Sequence, residues 1–207
     1  MKKIIIVGIL CFAELISCTG QQIKGGKKNK LLNQQSVMFE VFDIETFDKH
    51  KKNEVYEFYE GRNHVLQFGN YETGYVEQIT YPDSLFFLYK EFYPGGSLKK
   101  TGLSFLRGNF YKGIWKFNDA AGRTTKEINY DLWFKFGWEE IRAFLKENNI
   151  DVEDQHTSIS RTWEAGMRAV WWISYKIKRN DEFALRTITI DGYNGTVIKE
   201  DLEEFEK

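Results

Sequence analysis

The chain has 207 residues, 42% hydrophobic and 16% aromatic, enough apolar material for one buried core or two small ones. Its formal net charge is −1, and no lysine or arginine stripe runs through the part expected to fold, which argues against a nucleic-acid partner. The two cysteines, Cys11 and Cys18, both lie near the start, so the globular part has no disulfide framework, thiolate nucleophile or thiolate metal site.

Residues 1–17 have the form of a targeting segment. Lys2 and Lys3 make a basic start, and Ile4 to Ala13 form an apolar run too short to span a bilayer. Glu14 is the one charge that interrupts it. Leu15-Ile16-Ser17-Cys18 then resembles the lipobox of bacterial lipoproteins, against the alternative of an ordinary secretory signal with a chance cysteine. The resemblance implies that Cys18 is diacylated at sulfur and becomes the mature N-terminus. Each buried methylene of its acyl chains contributes about 0.8 kcal/mol, so the anchor is stable. Thr19 follows without an acidic run, unlike the inner-membrane retention and surface-export signals of some lipoproteins. The expected address is therefore the cell envelope, lipid-anchored in the outer membrane and facing the periplasm.

Residues 18–35 are polar, contain glycine and lack an apolar period, which predicts a flexible tether spanning roughly 20–25 Å. Lys24, Lys27, Lys28 and Lys30 either rest on anionic headgroups or are solvated linker residues. From 36 to 131 an antiparallel β region is expected. Val37 to Phe42, Val55 to Tyr59, His64 to Phe68 and Tyr75 to Tyr81 read as strands, punctuated by Gly61, Gly69 and Gly74. Asp48 to Lys52 reads as a charged turn between strands, and Leu85 to Tyr89 as a strand buried on both faces or covered by its neighbours.

Between 89 and 131 the turns become regular. Tyr93, Pro94, Gly96, Leu98 and Lys99 are followed by Gly113, Trp115, Phe117 and Gly122, then by Lys126 and Glu127. This pattern resembles the MORN-like repeats of the YwqK-type antitoxin family. Thr124, Phe117 and Ala121 stand where that family usually has Leu, Tyr and Asn. Two repeats are few for an array that stabilises itself by stacking, so the preceding strands are expected to complete the sheet.

From 132 the period changes. Trp138, Ile141, Phe144 and Leu145 recur at helical spacing between Gly137 and Asn149, with Gly137 as N-cap, Glu139 and Glu140 in the first turn, and Phe136 placed to staple on Ile141. Strands are expected from Ser158 to Trp163, from Trp171 to Ile177 and from Leu185 to Ile190. A tight turn at Asn194-Gly195 then leads into Thr196 to Ile198. One helix followed by a Trp-rich strand and a run from Ile190 to Ile198 resembles the PepSY family. The fold class expected is thus α+β and β-rich: antiparallel hairpins of MORN-like type, then a PepSY-like domain over 132–201 with one helix on an antiparallel sheet, and an acidic tail at 202–207.

The sequence offers no reaction centre. His50, His64 and His156 have no ligand partner at helical or hairpin spacing, and Asp151 to His156 lacks the glycine and terminal glutamate of a calcium loop. Nucleophile elbows, zinc helices and phosphate loops are missing from the sequence, so no cofactor and no small-molecule substrate is expected, and the chain is read as a non-enzyme. All six tryptophans lie between Trp115 and Trp172. Most are expected in the core. Trp115 and Trp172 are the partner-binding candidates, with Trp172 expected to lie partly exposed beside Trp115 or Trp163 as an aromatic patch, because Trp dominates binding hot spots. The MORN-like resemblance implies a toxin as the partner and an antitoxin or immunity role. The PepSY-like one implies modulation of an envelope protease, with the strand from Trp171 to Lys178 offering an edge for β-augmentation. A structural cell-envelope lipoprotein is the third alternative.

Overall fold

The computed structural model describes residues 40–163, 167–179 and 182–204. The targeting segment, Cys18, the tether and the end of the acidic tail lie outside the described residues. The described residues belong to one compact unit that runs from 38 to the C-terminus, built from two sheets and two helices. It is β-rich and α+β, as expected.

The first sheet is an antiparallel meander. Its strands are β1 (Val55–Glu60), β2 (Asn63–Asn70), β3 (Gly74–Thr80), β4 (Phe86–Phe92), β5 (Leu98–Phe105), β7 (Tyr111–Asn118) and β8 (Thr124–Asn129), in that spatial order. Between β5 and β7 lies β6 (Gly108–Asn109), which leaves this sheet and pairs in parallel with β9 (Ser158–Thr162). The second sheet is completed by β10 (Val170–Arg179), β11 (Glu182–Asp191) and β12 (Val197–Glu204), in the order β12-β11-β10-β9-β6.

One core joins the regions on either side of residue 131. Phe86, Phe105 and Phe110 from the first pack with Phe134, Trp138, Ile141, Trp171 and Ile190 from the second. Helix α2 (Trp138–Glu147) supplies Trp138, Ile141 and Leu145 to it. Its start follows the sequence signal, since the Gly137 N–H donates to the Glu140 carboxylate at 2.9 Å. A satellite core holds Phe42, Phe47, Tyr75 and Phe92. Between the two cores, on the same face of the meander, Lys90 bridges Glu40 and Glu77, and Glu77 also accepts from Gln67 at 2.7 Å. Strand β4 is buried at Phe86 and Phe92 and half-buried between them, so it is covered by its neighbours and not buried on both faces, and Lys90 of the polar ladder occupies part of that middle stretch.

Four other expectations are corrected. Asp48 to Lys52 is not a turn between strands, because helix α1 (Ile44–His50) occupies most of it. Asp43 caps that helix by accepting from the Thr46 N–H at 3.0 Å and hydroxyl at 2.7 Å, and Phe47 buries completely. Of the strand expected from Val37 to Phe42, the described part forms a single bridge, Val41 to Ser97. The Asn194-Gly195 turn is longer than a two-residue hairpin: Asp191 N–H donates to Thr196 O, and the buried Asp191 carboxylate accepts from the amides of Tyr193 and Asn194. Beyond it β12 continues through Glu204, so residues 202–204 belong to a strand and not to a tail.

Candidate functional site

Trp115 is not a surface residue. The Gly113 backbone adopts φ +69° and lets β7 bulge opposite Gly102, which lays the indole flat on that glycine. A Cβ at Gly102 would stand 2.4 Å from the ring. Leu103 O accepts from the indole N–H at 3.1 Å, while Tyr111, with its ring centroid at 3.8 Å, and Tyr89 and Tyr130 close over it. The residue is fully buried, which removes it as a contact candidate. Trp172 is 36% exposed on the outer face of the second sheet, in register with Ser160 and Thr189 and away from the other indoles of that region.

The β10 edge anticipated for β-augmentation is also mostly closed. Val170–Ser174 is paired with β9 on one side and β11 on the other, and only the segment from Tyr175 on lacks a β9 neighbour. The free edges are elsewhere. The first sheet ends in β1 and β8, and the second in β12 and the two-residue β6.

The aromatic surface forms instead where the two sheets diverge. After Asn109 the chain leaves β9 and enters the first sheet at Tyr111, so the C-terminal half of β9 has no strand on the side away from β10. The gap is a cleft of about 720 Å³ bordered by β8, the Tyr130–Phe134 segment and residues 161–163. That volume falls in the range of ligand and side-chain pockets. Trp133 and Trp163 stack face to face at its rim, centroids 3.7 Å apart and planes 12° from parallel. The same indole pair walls a second cleft of about 580 Å³ that reaches Arg168 and Tyr193. Leu132, Met167 and Tyr193 around it are 69%, 66% and 61% exposed.

Arg161 sits at the base of the first cleft. Its side chain is 4% exposed and its guanidinium lies over the rings of Phe134, Trp171 and Phe110, at 4.5, 4.9 and 5.0 Å. One terminal nitrogen, Nη2, donates to Tyr111 O and to Asp131 Oδ1, and Asp131 Oδ2 accepts from the Gly113 N–H at 3.0 Å. Nη1 is buried without an acceptor. Burial pulls this guanidinium below its ordinary pKa, and Asp131 pulls it back up. The Arg161–Asp131 pair thus ties β9 to the bulge under Trp115.

Among the described residues no three His, Cys, Asp or Glu side chains gather as a metal site. His64 pairs with Glu57 at 2.6 Å and His156 with Asp154 at 3.2 Å, while the Nδ1 of His50 lies 2.8 Å from Thr46 O. The Asp151 and Asp154 carboxylates accept from the amides of Glu153 and His156 in their own loop. No described helix is long and apolar enough to cross a membrane. Comparison with protein families, with characterised proteins and with solved structures finds no significant match.

Trp133 is the residue of this surface that sequence reasoning misses, and Trp163 is the one it mentions only in passing. The alternation of β8 points to Leu132 but stops there. Nothing in the spacing of Trp133 and Trp163 shows that they meet, because the contact depends on how β9 is placed against the end of β8.

Proposed function

We propose that the chain is a non-catalytic, membrane-anchored binding protein of the cell envelope, attached through Cys18 to the outer membrane on its periplasmic side, that engages a protein partner through the Trp133–Trp163 surface. One observation carries this: a stacked indole pair between two clefts, with large apolar side chains exposed on both sides. Trp, Tyr and Arg anchors beside concave, partly desolvated pockets are the composition of protein-binding hot spots, and contiguous exposed apolar patches mark such sites. A tethered inhibitor with an antitoxin or immunity role is the specific form favoured, supported by the hairpins of residues 89–131 lying within a continuous antiparallel meander. Modulation of a protease through the β10 edge loses its main support, since the first half of that strand is enclosed.

The test is capture from envelope extract by the full chain and by its Trp133→Ala and Trp163→Ala variants, together with challenge of a deletion strain by neighbouring bacteria. The wild type retains a specific protein that each variant binds about 30-fold more weakly, as expected for loss of a hot spot. Equal capture by all three chains, or a deletion strain that survives challenge unchanged, would refute the assignment.

A further inference from the structure

Strand β8 borders the first cleft from Lys126 to Asn129 and has no neighbour on its outer side. In an antiparallel pair, alternate residues turn both backbone groups toward the partner strand. Tyr130 N–H donates to Gly113 O, and Ile128 lies opposite Trp115 in the same phase. The backbone groups of Glu127 therefore point outward, as does the Asn129 N–H. Asn129 O is taken by the Leu132 N–H at 3.3 Å. An open edge of this kind is a template for another strand.

The charge left over at this edge is positive. Glu127 is matched by Lys116 at 3.8 Å and Asp131 by Arg161 at 2.6 Å. Lys126, which lines the cleft, has no ion-pair partner among the described residues. A neutral or basic strand would leave Lys126 uncompensated, whereas an acidic one supplies the missing oxygen. The walls from Ile128 to Trp133 and Trp163 are apolar and large enough for a bulky side chain.

We infer that the first cleft and the β8 edge together receive an extended, acidic segment of the partner protein, which pairs with β8 through its backbone, places a carboxylate at Lys126 and buries a bulky apolar side chain against Trp133 and Trp163. The inference rests on the binding role proposed above and specifies the chemistry of what is bound. A second copy of this chain is a poorer occupant. On its acidic edge strand β12, Glu200 is already engaged by Arg186 and Asp201 by Lys199, which leaves only Glu203 and Glu204, at the very end of the described strand, to meet Lys126.

The experiment pans a random decapeptide library against the full chain and measures the enriched peptide, made synthetically, by titration and by amide hydrogen exchange. Enriched sequences are acidic with one large apolar residue, and binding protects the amides of Glu127 and Asn129. Glu127→Pro removes an outward N–H that serves no ladder bond, so the fold is kept while peptide binding weakens about tenfold. Lys126→Glu, which leaves the backbone intact, shifts the selection toward basic peptides. No enrichment, enrichment indifferent to Lys126→Glu, unprotected edge amides, or a doubled mass in sedimentation without peptide would each overturn the inference. If Trp133→Ala abolishes capture of the envelope partner while Glu127→Pro leaves it intact, strand addition fails and the binding role stands. Indifference to both variants removes both.

Discussion

In the first sheet each strand from β1 to β5 pairs with its neighbour in sequence, its two core clusters are separate with a charged ladder between them, and Trp115 is buried apart from both. The second sheet is built around one dense cluster and needs β6, a strand borrowed from the middle of the first region, to complete its order. The contrast shows two sources of stability. Many modest cross-strand contacts support the meander, while a few fully buried aromatic and branched side chains support the helix-backed sheet.

Removing a central side chain from each region separates these regimes. Trp171 is fully buried, donates to Phe136 O at 2.9 Å and meets Phe110 and Phe134 edge-on. Trp171→Ala is expected to cost about 3–5 kcal/mol, read as a fall in the urea midpoint, and to melt both regions together because they share that core. Separate transitions would show that the regions are energetically independent.

A smaller effect is expected at the seam. A Cβ on Gly108 would stand 1.8 Å from Ile159 O, so Gly108→Ala must force β6 away from β9. A loss of about 1–3 kcal/mol is expected, with increased amide exchange in β9 and little change in β1–β3.

Acid should act unequally on the two regions. Hydrogen bonds from Thr46 hold Asp43 below the usual carboxylate range, and the Arg123 backbone N–H does the same for Asp119. Burial pushes Glu91 upward, but Lys100 and Lys99 outweigh it and leave it lowered. A depressed carboxylate adds stability that is complete above its unfolded pKa and is lost as pH falls through the folded one. All three lie in or beside the meander, whereas Asp154, before β9, is the corresponding group of the other region. Amide exchange below about pH 4 is therefore expected to rise first in the meander, since carboxylates titrate there.

The smallest effect is expected at Trp172. Its replacement by Ala, at an outward position of β10, should change stability by no more than about 0.5 kcal/mol in thermal melts. A larger loss would mean that the outer face of the second sheet is packed against something in the folded protein.

The meander and α2 were legible in the sequence because their signals are local: turn glycines between alternating runs, and apolar spacing behind Gly137 with Glu140 reaching back. Helix α1 was not, since its seven residues give two apolar positions among charges and its order depends on Phe47 finding Tyr75. Alternation placed Trp115 on the correct strand, but not over Gly102, a glycine on a different strand whose missing side chain makes the burial possible. The cleft was the least legible feature. Its walls come from β8 and β9, which only the crossing of β6 brings together.

The two-residue strand β6 also bears on the order in which the molecule assembles. As the chain emerges from its N-terminal end, β1 to β5 find partners as soon as each hairpin is complete, a low-contact-order process that is fast. Gly108 and Asn109, however, must wait for Ile159 and Ser160. Until β9 arrives, Phe86, Phe105 and Phe110 face solvent on a finished sheet, and this interval is when a chaperone would hold the protein and when mispairing is most probable.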